Sequence, residues 1–205
     1  MEDVLDLYAE PYDPRRPVVC FDERPYQLVA DVQAPLPMEP GRPQRVDDEY
    51  ERQGCCNLVL IVHPLTGWRE VHVTERRTKE DFARQMKWLV DAVFPEAEGI
   101  RVALDNLNTH TPAVLYQTFP PEEARRLTRK LAFHSTPKHG SWLNMTAIEF
   151  SILARQWLDR RLPDRASVRR EVDAWAKARS EVRATVQWRF TTANARLTFR
   201  RFYHQ

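Results

Sequence analysis

The chain has 205 residues, 42% of them hydrophobic, and a formal net charge of +2, which suits one folded domain with or without an appendage. Aromatic residues make up 10% of the chain, and this content argues against intrinsic disorder. No apolar run approaches the roughly 20 residues that cross a bilayer, and the acidic, proline-broken start is unlike a secretory signal. The three cysteines (Cys20, Cys55 and Cys56) have no ligand-like spacing. They predict neither a disulfide framework nor a zinc site, and they favour a reducing, intracellular compartment.

Charge is divided unevenly along the chain. Residues 151–205 contain 13 basic and 5 acidic residues, a net charge of +8, which leaves −6 for residues 1–150. Arginine outnumbers lysine by 26 to 5, and its planar fork suits phosphate groups. The basic C-terminal segment therefore fits either a polyanion such as nucleic acid or a solvated helical surface.

Hydrophobic patterning predicts an α/β chain. The chain begins with a predicted leader over residues 1–16 that is helical at first. Strands are predicted at 18–21, 26–32, 57–63, 68–74, 100–104 and 131–133, with a long loop over 34–54. Helices are predicted from Thr78, from Pro120, over 143–162, from 164 or 167 to 182, and over 191–203. Three early antiparallel strands that feed alternating helices and strands resemble the ribonuclease H-like layout. Many α/β folds also begin with a hairpin, so the order alone does not decide the fold.

Two aspartates occupy equivalent places in this pattern. Asp22 ends the first strand, and Asp105 ends the strand over 100–104. Ligands of open α/β sheets bind at strand ends, and two carboxylates brought together there repel each other unless a hard cation such as Mg²⁺ or Mn²⁺ lies between them. Two such ions about 4 Å apart can activate water and stabilise the leaving oxygen of a phosphodiester. The alternative is that both aspartates only begin turns. Glu23 is expected to point to the opposite face of the strand.

Three separated motifs carry a family resemblance. VVCFDE at 18–23, VALDNLNTHTP at 102–112 and HSTPKHGSWLN at 134–144 resemble the transposases of the IS630 family, within the IS630/Tc1/mariner group of DDE transposases. Further similar segments extend the resemblance over nearly the whole chain. It implies a ribonuclease H-like α/β fold, a mixed five-stranded sheet flanked by helices, with extra C-terminal helices. We expect a leader over 1–16, a catalytic core over 17–162, and a basic helical extension over 163–205 packed on that core.

The resemblance also implies a chemistry and a partner. The family holds two Mg²⁺ (or Mn²⁺) ions with an Asp, Asp, Glu triad, hydrolyses DNA at transposon ends, and joins a 3′-hydroxyl to target DNA, usually at TA. Asp22 and Asp105 match the first two acids, and both are expected to bind metal. A homodimer is plausible because transposition joins two ends. The implied location is the bacterial cytoplasm, in association with the nucleoid and not with a membrane.

The sequence departs from the family in two respects. The helix-turn-helix segments that precede the core in the family are not visible before residue 18, so a catalytic domain without the end-recognition part is expected. The third acid is expected three residues after Asn144, where Ala147 stands. Glu149 lies about 200° further around a helix and should point largely away from the metals. It completes a catalytic set of Asp22, Asp105 and Glu149 only if the helix start unwinds.

Several residues are candidates for DNA contact, with a solvated surface as the alternative for each. They are Lys138, His139, Arg155, Arg160 and Arg161. The loop histidine His110 flanks the predicted site, and Trp142 is predicted either to stack on a base or to lie in the core. Three functions remain open: a DDE transposase core impaired by Ala147, a non-catalytic DNA-binding or regulatory derivative, and an unrelated Mg²⁺-dependent nuclease.

Overall fold

A computed structural model describes residues 1–43 and 45–203 of the chain. In this part of the chain the strands form one five-stranded sheet in the order β3-β2-β1-β4-β5. The strands are β1 (Val18–Asp31), β2 (Tyr50–His63), β3 (Trp68–Thr74), β4 (Ile100–Leu104) and β5 (Leu131–Ser135). β1, β2 and β3 pair antiparallel, whereas β1, β4 and β5 are parallel. The sheet is therefore mixed, as predicted.

Helices connect and cover these strands. They are α1 (Glu2–Ala9), α2 (Lys79–Trp88), α3 (Pro112–Thr118), α4 (Pro121–Lys130), α5 (Thr146–Gln156), α6 (Arg165–Glu181), α7 (Thr192–Thr198) and α8 (Arg200–Tyr203). A π-helical turn over Leu89–Val93 extends α2, and a 3₁₀ turn over Ser141–Leu143 precedes α5. Among the described helices, we find none with the length and apolar character that a membrane span requires.

The structure corrects three of the predicted elements. β1 is one continuous strand where two were predicted, because β2 pairs with it on both sides of a register shift between Gln27 and Val29. For the same reason β2 begins at Tyr50, inside the predicted loop. The predicted helix over 143–162 is shorter, since the chain first makes the 3₁₀ turn. The helix α3 was not predicted.

The two faces of the sheet have separate hydrophobic cores. Val19 and Phe21 of β1 lie on the face covered by α2, α3 and α4. Leu58 and Leu60 of β2 lie on the other face, where they pack with side chains of α5 and α6. Since side chains alternate along a strand, Asp22 belongs to the α5 face and Glu23 to the α2 face. The alternation thus separates the two neighbouring acids, as predicted for Glu23.

The start of the chain packs against its last helices. Val4 and Leu5 of α1 form a buried cluster with Leu143 and with Ala195 of α7. Beside it, Tyr8 donates a hydrogen bond to the carbonyl oxygen of Leu143, 3.0 Å away. The predicted leader therefore holds the turn that precedes α5.

Candidate active site

Asp22 and Asp105 lie where β1 and β4 separate. The two strands are paired from Val18 to Cys20 only, opposite residues 101–103, and both aspartates follow this stretch. Burial raises the pKa of Asp22 to about 6, and the negative charge of Asp105 adds to this rise against the opposing hydrogen bond from the Glu23 backbone. The fold therefore brings the two predicted acids together.

His110 lies against this pair from the α2 face of the sheet. Its Nδ1 is 2.5 Å from Oδ1 of Asp105, and its Nε2 is 3.7 Å from Oε2 of Glu23. Burial alone would lower the pKa of His110, but the hydrogen bond with Asp105 and the nearby charge of Glu23 raise it to about 9. This rise favours the protonated ring, whose Nδ1 then donates to Oδ1 of Asp105. The ring stacks on Phe82, with the centroids 4.7 Å apart.

Glu23 was not among the predicted site residues, and His110 was expected only to flank the site. His110 is buried, although a loop histidine is more often exposed. The five-residue spacing from Asp105 hinted at proximity, but it did not show that the ring folds inward. Arg77, which lies 3.6 Å from Glu23, was equally unexpected. Arg77 and the His110 ring thus approach the same carboxylate oxygen, Oε2 of Glu23.

The start of α5 is fixed beside the strand that carries Asp22. The side-chain amide of Asn144 donates to the carbonyl oxygen of Phe21, 2.8 Å away, and its Oδ1 accepts from the backbone N–H of Thr146 at 3.2 Å. Ala147, one residue further, is exposed to solvent. A longer side chain at this position would extend into solvent at the start of α5.

The carboxylates at this site are possible ligands for a divalent cation. Asp22 and Asp105 supply hard oxygens, and their repulsion would be relieved by a divalent cation shared between them. Among the described residues, no group of three or more His, Cys, Asp or Glu side chains is arranged to hold a metal ion. The two aspartates therefore suit a divalent cation, and the predicted pair of ions remains a prediction.

Glu149 lies in a buried ion pair on the α6 side of α5. Its two carboxylate oxygens accept hydrogen bonds from Nε and Nη2 of Arg179 at 3.0 and 2.9 Å. Nη1 of Arg69 is 3.4 Å away, and the Glu149 side chain is fully buried. Both oxygens are thus engaged, which argues against the predicted role of Glu149 as a catalytic acid. The direction follows from the helix, since 200° of rotation separates residues 147 and 149.

The sequence places the chain in a known family. Residues 17–169, most of the chain, match the family described as DDE superfamily endonuclease. The chain belongs to this family. The match covers both aspartates and the whole sheet, and it confirms the predicted superfamily, whereas the IS630 family remains a prediction. A comparison with the curated proteins found no match.

Solved structures share the fold. The chain is similar to the Mos1 transposase paired-end complex with the left transposon end, with a TM-score of 0.56, 17% identity, and 79% of this chain and 48% of that chain covered. The Mos1 strand transfer complex has a TM-score of 0.58 and 15% identity, with 82% of this chain and 49% of that chain covered. The Mos1 mariner paired end complex with Mn has a TM-score of 0.58 and 16% identity, with 88% of this chain and 54% of that chain covered. The likeness confirms the ribonuclease H-like fold. The chain spans about half the length of these Mos1 chains.

The predicted DNA contacts of this DDE domain fall into two groups. Lys138 and His139 are exposed in the turn that precedes α5. Arg155 is also exposed, but its guanidinium group donates to the carbonyl and hydroxyl oxygens of Ser151, one turn back in its own helix. Lys138 and His139 therefore present their polar groups to solvent in this turn.

Arg160 and Arg161 are engaged elsewhere. Nη2 of Arg160 lies 2.7 Å from Oε2 of Glu171. Nη1 of Arg161 lies 2.8 Å from Oδ1 of Asp31 and 2.9 Å from the carbonyl oxygen of Glu49. Arg161 thus ties the end of β1 to the segment before β2. This arrangement favours a structural role for Arg161 over the predicted DNA contact.

Proposed function

We propose that this chain is the catalytic domain of an IS630-like DDE transposase, built for divalent-metal-dependent DNA cleavage and strand transfer and impaired by Ala147. The pairing of Asp22 and Asp105 at the fork between β1 and β4 carries the proposal. A Mg²⁺ or Mn²⁺ ion held by these acids would supply the positive charge that stabilises a phosphodiester under attack. His110 orients Asp105 and compensates its charge.

The partner in this proposal is DNA, both transposon ends and a TA-containing target. The solved Mos1 structures include a paired-end complex with a transposon end and a paired-end complex with Mn, which supports DNA and a divalent cation as partners. A homodimer would bring two ends together, and a cytoplasmic, nucleoid-associated protein would meet such DNA in a bacterium. Exposed Lys138 and His139 supply donors for the phosphates.

The second candidate is a DNA-binding or regulatory derivative without catalysis. Two observations favour it: Ala147 stands at the expected third acid, and Glu149 is held by Arg69 and Arg179. Both candidates share the fold and the DNA partner. They differ in whether restoring a carboxylate restores chemistry.

The test compares the chain with its Ala147→Glu variant in a plasmid-nicking assay with Mg²⁺ or Mn²⁺. Strand transfer of a labelled oligonucleotide with a free 3′-hydroxyl is measured in parallel. Ala154→Glu is the matched control, because Ala154 is also exposed on α5 and lies two turns along nearly the same face, about 10 Å away. Adding Asp22→Ala to Ala147→Glu gives the blank.

We expect Ala147→Glu to raise the nicking rate about a hundredfold or more, since misplaced or missing groups cost at least that much in two-metal chemistry. Ala154→Glu and the blank should stay at the level of the unaltered chain. DNA binding without nicking by any variant would favour the non-catalytic derivative. Activity in the unaltered chain that is abolished by Glu149→Gln, in a variant that circular dichroism shows to be folded, would instead restore Glu149 as the third acid.

A further inference from the structure

The turn over residues 136–144 is tied at both ends to the strands that carry the acids. At one end the backbone N–H of Thr136 donates to the carbonyl oxygen of Leu104, 2.9 Å away and adjacent to Asp105. At the other end Asn144 donates to the carbonyl oxygen of Phe21, adjacent to Asp22. The turn therefore links β1 and β4 beyond their paired stretch, and each of its ends is bonded to the residue that precedes one of the acids.

Trp142 is the exposed aromatic side chain of this turn. It is 46% exposed, so the prediction of a core role is wrong. Its ring is nearly parallel to that of Trp188, with an interplanar angle of 20° and the ring centroids 6.4 Å apart. It also meets the Phe190 ring edge-on, with the centroids 5.7 Å apart. Aromatic neighbours thus fix the orientation of a large apolar ring that solvent still reaches. An exposed indole that is held in place loses little freedom when a flat ligand stacks on it.

Basic side chains form the rim of this surface. Lys138 and His139 line the same groove as Trp142, together with Pro137 and Gly140. His139 adopts a left-handed backbone conformation, with φ at 64°. A Cβ at Gly140 would meet Cγ of Pro137 at 2.6 Å, so only glycine fits this turn. The tight turn therefore holds two polar groups next to one exposed indole.

We propose that Trp142 is a stacking platform for an unpaired nucleobase of the DNA strand whose phosphate lies at Asp22 and Asp105. The proposal rests on the proposed function, which supplies the DNA. Every base has a flat π-face, and Lys138 and His139 can donate to the flanking phosphates. Bases within a duplex already stack on one another, so the platform selects a nucleotide at a strand end or flipped out of the helix.

The test measures binding of duplex DNA with one unpaired 3′ nucleotide, 2-aminopurine, whose fluorescence falls on stacking. An otherwise identical duplex has an abasic overhang. The proteins are the full chain and its Trp142→Ala, Trp142→Phe and Tyr116→Ala variants. Tyr116 is the matched control, because it is 49% exposed but lies on α3. Circular dichroism and thermal unfolding verify the fold of each variant.

We expect Trp142→Ala to weaken binding of the base-bearing overhang by about five- to 150-fold, the range of one base stacked on an aromatic ring. Binding of the abasic duplex should change less than twofold. Trp142→Phe should recover most of the affinity and of the fluorescence quenching, and Tyr116→Ala should match the unaltered chain.

Equal effects of Trp142→Ala on both duplexes, or no effect on either, would overturn the platform while leaving DNA binding intact. A chain that binds neither duplex at low salt would overturn the proposed function as well. The two failures are therefore distinguishable.

Discussion

Glu149 and Arg179 form a two-pronged ion pair between α5 and α6, with both carboxylate oxygens about 3 Å from guanidinium nitrogens. Arg69 of β3 approaches the same carboxylate, and its guanidinium carbon lies 5.7 Å from the centroid of the Trp175 ring. Glu149 thus joins two helices and a strand on the face opposite α2. Its environment is that of a structural group.

Glu149→Gln should lower the free energy of unfolding by about 3–5 kcal/mol, because it leaves Arg69 buried beside a neutral amide. Urea unfolding at neutral pH measures the change. Glu171→Gln removes the exposed pair with Arg160 and should cost less than about 1 kcal/mol. Equal costs for the two substitutions would contradict the structural role of Glu149.

Asp22→Asn should stabilise the chain by about 1–3 kcal/mol at pH 7 in the presence of EDTA. The pKa of Asp22 is raised from 3.8 to about 6, so its ionisation lowers stability as pH rises from about 4 to 6. The full cost is present at pH 7, and asparagine removes it. Mg²⁺ should raise the melting temperature of the unaltered chain more than that of the variant. Equal shifts with Mg²⁺ would mean that the cation binds elsewhere.

His63 should make the fold sensitive to mild acid. Its ring is buried against Tyr12 and Phe94, and within the described residues neither ring nitrogen has a hydrogen-bond partner. Burial lowers its pKa to about 4. The unfolded chain takes up this proton near pH 6.5, so stability falls as pH drops from 6.5 to 4.

Between pH 7.5 and 5, His63→Leu should flatten the pH profile by up to about 2 kcal/mol, the part of the linkage free energy that this interval spans. Urea unfolding at pH 7.5 and 5 measures the difference. His134→Gln, at a partly exposed histidine, is the control. An unchanged slope in His63→Leu would show that other groups cause the acid sensitivity.

Arg161→Ala should mainly lower thermal stability, whereas Lys138→Ala should mainly weaken DNA binding. Arg161 holds Asp31 and the carbonyl of Glu49, so its loss should lower the melting temperature by several degrees and leave DNA affinity nearly unchanged. Lys138 is exposed, so its loss should weaken DNA binding and its salt dependence while stability is kept. Thermal unfolding and binding at two salt concentrations give both quantities. Reversed profiles would return Arg161 to the DNA surface.

Local patterns predicted the fold where side chains alone decide it. The alternation of WREVHVT gave β3 with its observed bounds, and Thr78 caps α2 through a capping box with Asp81. β1 was divided in the prediction because its first apolar run ends at Asp22 and Glu23. Only the pairing with β2, which is remote in sequence, keeps that stretch extended.

The candidate site was predictable in part. Asp22 and Asp105 follow apolar runs, and strand ends are visible in the sequence. The inward fold of His110 and the ion pair of Glu149 were not, because both depend on contacts with residues far away in the chain. Helical geometry alone indicated that Glu149 points away from position 147, and the structure adds what it meets there.

The side-chain amide of Asn144 replaces a hydrogen bond that β4 does not make to β1. Carbonyl groups two residues apart on a strand face the same neighbouring strand. The carbonyl oxygen of Pro17 accepts from the N–H of Arg101 in β4, so the carbonyl of Phe21, four residues further on, also faces β4. The Asn144 side chain donates a hydrogen bond to that carbonyl oxygen, and it therefore lies where β1 and β4 diverge. Where the two strands diverge, the neutral side chain of Asn144 thus replaces β4 as the partner of β1. The side chain at position 147 takes no part in this bond, so replacing Ala147 should leave the divergence of β1 and β4 unchanged.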